Sequence, residues 1–153
     1  MKGIRVISRI ARWLFVAAGF YGAAVLTTLF FLEARIARTS AVFTHPEYFY
    51  GFVGTALAAQ IMFFIIAHDP LRFRPAMLFA VLEKLAFAVP VLVLFAYGRA
   101  AGSVVAFGAI DFLWAIAFAS LWLLTGKAVQ EATCDAAVGP KDDLSQPVRH
   151  ARS

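Results

Sequence analysis

Glu83 and Lys84 stand side by side in a run from Ala76 to Tyr97 whose other side chains, Pro90 apart, are all hydrocarbon, aromatic or thioether. Tyr21, Gln60 and Asp111 interrupt comparable apolar runs elsewhere in the chain. Ionisable groups in such surroundings are costly to place and are functional candidates by default. Glu83 or Asp111 could act as acid or base, or hold a proton that the other carboxylate shares. Two carboxylates against one lysine leave either a net charge or a shared proton. Tyr21 and Gln60 add hydrogen-bonding capacity. His68 and Asp69 form a smaller group that could relay a proton at a helix end, but turn closure and headgroup contact explain them more simply. No nucleophile, Walker loop, dinucleotide fingerprint, HExxH or GxSxG accompanies these residues, so no catalytic residue is assigned. The cofactor is unknown from sequence. The single cysteine, Cys134, gives neither an intramolecular disulfide nor a metal cluster resting on cysteine.

The elements that must position these groups follow from composition. Of 153 residues, 62% are hydrophobic and 15% charged, and the mean hydropathy of +0.80 is too high for an ordinary soluble domain. The apolar residues fall in four runs near 13–32, 49–67, 76–97 and 103–124. Each has about the 20 residues that a helix needs to cross about 30 Å of hydrocarbon. The fold class expected is all-α, a membrane-spanning four-helix bundle over residues 1–125. From Gly126 the apolar run stops, and residues 126–153 read as a polar cytoplasmic tail whose low hydrophobicity argues for disorder.

A net charge of +5 does not make this a nucleic-acid binder, because the basic residues flank the runs instead of forming a stripe. Ten of the fourteen fall on one side of four alternating spans, three on the other, and Lys84 lies within. The positive-inside rule therefore places both termini in the cytoplasm. The first run exceeds the 7 to 15 residues of a signal h-region and lacks a clear cleavage site, so it reads as an uncleaved span.

Local signals fill in the frame. Small residues at Ala18, Gly19, Gly22 and Ala23, and again at Gly51, Thr55 and Ala59, offer close-packing faces. Such faces admit another helix of the chain, a membrane subunit or a second copy. Glu33 to Tyr48 is the longest connection, and Thr44-His45-Pro46-Glu47 at its end reads as a capping box with Thr44 as N-cap. His68-Asp69-Pro70 ends the second span.

Counting at 1.5 Å per residue from the basic end places Gln60 and Glu83 roughly 10 Å deep, Tyr21 and Lys84 roughly 12 Å, and Asp111 roughly 19 Å. Every helix thus contributes to one polar band. Adjacent residues diverge by about 100° around a helix, so Glu83 and Lys84 are expected to need separate partners, with Lys84 reaching Asp111 or snorkelling to the headgroups; the competing reading is a structural ion pair of Lys84 with Asp111 or Glu83 that fixes helix register.

Tyr50-Gly51-Phe52-Val53-Gly54, Gln60, Asp69-Pro70, Arg72, Arg74-Pro75, Leu82-Glu83-Lys84 and Asp111 together resemble small bacterial four-helix membrane proteins, broadly DoxX-like. The resemblance covers roughly residues 10 to 125. It implies an inner-membrane bundle and assigns no activity. Three functions fit the sequence. The first is a non-enzymatic bundle binding a lipophilic molecule or partner subunit through Gln60, Glu83, Lys84 and Asp111. The second is a proton-coupled permease using Glu83, and the third a membrane enzyme acting on a lipid or quinone.

Overall fold

The computed structural model of the chain describes residues 2–39 and 45–138. They form four helices: α1 (Lys2–Thr39), α2 (Pro46–His68), α3 (Ala76–Ala96) and α4 (Gly102–Val138). All four are long and apolar enough to cross a membrane. Their apolar runs predict them, and with water absent a helix is the economical way to pair every backbone N–H and C=O. The helices pack as a ring. α1 pairs with α2 and α3 with α4 as two closely packed hairpins, and the seams α1/α4 and α2/α3 join the hairpins. Among the described residues the diagonal helices make no backbone approach.

Short hydrogen-bonded turns join α2 to α3 and close the end of α3. Between α2 and α3 the Asp69 carboxylate accepts the Arg72 N–H at 3.1 Å, and the Asp69 carbonyl accepts the Phe73 N–H at 3.0 Å. α3 ends at Gly98, whose φ of +66° is open to glycine at no steric cost. There the N–H groups of Gly98 and Arg99 return to the carbonyls of Phe95 and Leu94, closing the helix end in a Schellman arrangement.

The core occupies only one half of the bundle. Ala11, Phe15, Ala18, Phe63, Ile66, Ala67, Met77, Ala80, Phe118 and Leu121 are buried together near the N-terminus of α1. Phe15 and Phe118 stack with centroids 4.4 Å apart, and Phe63 meets both edge-on at 6.1 and 5.3 Å. Aromatic pairs of this kind contribute about 0.5–1.5 kcal/mol each beyond their buried area. In the other half Val53, Ala88 and Val91 are buried, whereas Phe30, Phe31, Phe52, Phe95 and Phe107 are exposed. Hydrocarbon would solvate that exposed apolar surface, because lipid tails are as apolar as the side chains facing them.

Three expectations change. Helix α1 continues through Thr39 into the segment read as a loop, and α4 continues through Val138 past the expected start of the tail at Gly126. Lys127, Ala128, Gln130, Glu131 and Ala132 are good helix formers, so loss of apolar character ends the span without ending the helix. The rest of the tail lies outside the described residues. The N-cap of α2 is His45, which makes no side-chain capping bond, and Thr44 lies outside the described residues. His45 Nδ1 instead meets Glu47 Oε1 at 2.8 Å.

Candidate functional site

Lys84 is the centre of the polar layer. Its Nζ lies 3.1 Å from Glu83 Oε2, donates a 3.5 Å hydrogen bond to Glu83 Oε1, and stands 3.5 Å from Asp111 Oδ1 on the neighbouring α4. The same ammonium is 5.3 Å from the centroid of the Phe63 ring on α2. A desolvated cation over an aromatic face gains about 2 kcal/mol. Three helices therefore meet at one charge.

The expected divergence of Glu83 and Lys84 does not survive to their side-chain ends. Their Cβ directions do separate around the helix, but the long lysine stem folds back so that Nζ rejoins Glu83 while also reaching Asp111. Lys84 is buried and does not snorkel. Its side chain is 5% exposed, against 17% for each carboxylate. The cluster thus presents carboxylate, not ammonium, to its surroundings. Counted as ions, Glu83, Lys84 and Asp111 carry a net charge of −1.

Tyr21 on α1 is within electrostatic range of Asp111. Its ring stands 6.3 Å from that of Trp114, which is 5.7 Å from Phe118. An aromatic chain thereby links the phenol beside the cluster to the packed half.

Gln60 shares the depth of the cluster but not its contacts. Its Nε2 donates to the Ala56 carbonyl at 2.9 Å, while Oε1 finds no hydrogen-bond partner among the described residues. The carboxamide is pressed against Gly22 of α1, where a Cβ would come within 2.6 Å of Gln60 Cδ. A side chain at Gly22 would therefore force the Gln60 amide to move. Gln60 therefore belongs to the α1/α2 seam.

His68 and Asp69 lie at the end of α2. The His68 carbonyl accepts Arg12 Nη2 at 3.1 Å, and the Asp69 carboxylate closes the following turn. Near that end sits a latch absent from the sequence reading. Arg74 Nε donates to the Trp122 carbonyl at 3.1 Å, and its guanidinium carbon lies 4.6 Å above the Trp122 ring. The guanidinium also covers Gly126, where a Cβ would overlap it. In the sequence Arg74 is one of the basic residues between the second and third apolar runs and Trp122 lies near the end of the fourth, where interfacial indoles are common, and neither position reveals the pairing.

Above the cluster the bundle opens. A shallow apolar groove of about 340 Å³, open to the surroundings, runs along α1 where it meets Phe107 of α4 and is lined by Ala24, Val25, Thr28, Leu29, Leu32 and Phe107. A second hollow of about 340 Å³ lies against Ile110, Leu113 and Trp114. Helical spacing aligns these walls with the polar groups. Phe107, Asp111 and Trp114 recur at i, i+4 and i+7 on one face of α4, as do Tyr21, Val25 and Thr28 on α1. Asp111 and Tyr21 thus lie one turn from Phe107 and Ala24, next to the lining of the cleft and not part of it. Among the described residues no His, Cys, Asp and Glu side chains form a group able to hold a metal ion. Comparison with protein-family models, curated proteins and solved structures finds no match to this chain.

Proposed function

We propose that this protein binds a lipophilic molecule without transforming it, holding the hydrocarbon part in the α1/α4 cleft and the polar part beside Tyr21, Asp111 and the Glu83–Lys84 pair. The observation that carries the reading is an apolar groove whose lining residues Ala24 and Phe107 stand one helical turn from Tyr21 and Asp111. Ligand sites have this composition: mostly apolar, with a few convergent polar groups that fix orientation. In this proposal the bundle lies in a bacterial inner membrane as a DoxX-like protein with both termini cytoplasmic. The distribution of ten basic residues against three supports that orientation. Gln60 acts indirectly, by holding α1 against α2.

Native mass spectrometry of the protein released from mild detergent tests the proposal. The wild type is expected to retain a defined lipophilic molecule that Ala24→Phe, which fills the cleft, loses. Identical retained species in both proteins would overturn it. The surplus carboxylate favours a second reading, a proton-coupled permease in which Glu83 takes up the proton. Flux in proteoliposomes that responds to a pH gradient and disappears in Glu83→Gln would support that reading over simple binding.

A further inference from the structure

We infer that the polar part of the bound molecule is a cation, and that the ligand is a long-chain ammonium amphiphile. The inference rests on the binding proposal above and names the chemistry of its ligand. Accessibility is the first observation. Lys84 is sealed at 5% exposure, with its ammonium held between two carboxylates and the Phe63 ring, whereas Glu83 and Asp111 each keep 17% of their side-chain surface open. An incoming group therefore meets negative charge first.

Charge count points the same way. Counted as ions the three sum to −1, which a further cation completes by displacing any proton the carboxylates share, while a phosphate or carboxylate head would add repulsion in a medium that screens it weakly. An alcohol supplies a donor but leaves the charge uncompensated. The walls suit the same head group. Tyr21 is within electrostatic range of Asp111 and its ring stands 6.3 Å from that of Trp114, and aromatic faces near a carboxylate favour ammonium ions. The cleft beyond them is lined by apolar side chains and Thr28, and the Thr28 hydroxyl is already donated to the Ala24 carbonyl at 2.8 Å. A hydrocarbon chain fits there and a second polar group does not.

The test uses the full chain in phosphatidylcholine nanodiscs and three nitroxide-labelled probes of equal chain length: a primary amine, an alcohol and a carboxylic acid. The bound fraction is read from the immobilised component of the spin-label spectrum. The amine is expected to bind about ten-fold more tightly than the alcohol, and the acid most weakly. Asp111→Asn should abolish the preference for amine over alcohol. Lys84→Met, which removes the internal counter-ion and so takes up a proton that the amine must displace, should bind the amine more tightly as pH rises, a response that a misfolded protein cannot mimic. Equal binding of amine and alcohol would overturn the cationic head group and leave lipophilic binding standing. Tighter binding of the acid, or an amine preference that survives both Asp111→Asn and Glu83→Gln, would also overturn it. Absence of any immobilised probe would overturn the binding proposal as well.

Discussion

Replacing Lys84 with methionine keeps an unbranched side chain of similar length and removes the one positive charge from the cluster. At an effective dielectric of about 20, an ion pair at the observed 3.1 or 3.5 Å is attractive by about 5 kcal/mol. Losing that attraction outright exceeds the cost of neutralising a carboxylate. Protonating a glutamate of solution pKa about 4.3 at pH 7 costs about 3.7 kcal/mol, so the variant takes up a proton in preference to burying an unpaired charge. That ceiling, lowered by the 17% exposure of each carboxylate, gives an expected destabilisation of about 2–4 kcal/mol. Reversible unfolding by SDS titration in mixed micelles measures it. The folded variant then binds more protons than the unfolded chain, so its stability rises as pH falls, by about 1.4 kcal/mol per unit for each proton. Combining Lys84→Met with Glu83→Gln and Asp111→Asn removes the uncompensated charge and should recover most of the loss. A Lys84→Met protein within about 0.5 kcal/mol of wild type would refute the reasoning, as would a neutral triple variant no more stable than Lys84→Met.

Gly22→Val should destabilise the bundle by about 1–3 kcal/mol in the same titration, and Gln60→Ala in that background should recover part of the loss, because the new Cβ overlaps only the Gln60 amide. Additive losses from the two substitutions would show that the amide is not the obstruction. Arg74→Lys retains charge but not the planar stack on Trp122 or the Nε bond to its carbonyl, and is expected to cost about 1 kcal/mol or more. Trp122 emission, read in a Trp13→Phe/Trp114→Phe background, should shift to the red, and an unchanged spectrum would argue against the latch. Phe63→Leu withdraws the ring under Lys84 and both edge-on aromatic contacts, for an expected loss of about 1–3 kcal/mol, with calorimetry as the check.

Sequence made the four helices legible because a spanning helix needs a long apolar run, and such runs are conspicuous against charged flanks. It did not show how far α1 and α4 extend, since Lys127, Gln130 and Glu131 interrupt the apolar run yet favour helix. Depth arithmetic brought Glu83, Lys84 and Asp111 to neighbouring levels. It missed the return of Lys84 to Glu83, because Cβ directions omit the reach of a four-carbon stem. Gln60 shows the limit of depth without azimuth: it lies level with the cluster but faces Gly22. Phe63 was discoverable, standing three residues after Gln60 on an adjoining face. The Arg74–Trp122 latch was not, because each residue already had a sufficient role at the membrane interface.

The central claim is that the α1/α4 cleft and the Asp111 cluster form one site for one amphiphile. Photo-crosslinking in native membranes tests it most directly, with benzoylphenylalanine placed at Leu29 in the cleft or at exposed Phe79 on α3, followed by mass spectrometry of the adducts. The account predicts one dominant lipophilic adduct at Leu29, absent from Phe79 and lost in Asp111→Asn. The same mixture of bulk lipids at both positions, unaffected by Asp111→Asn, would contradict it.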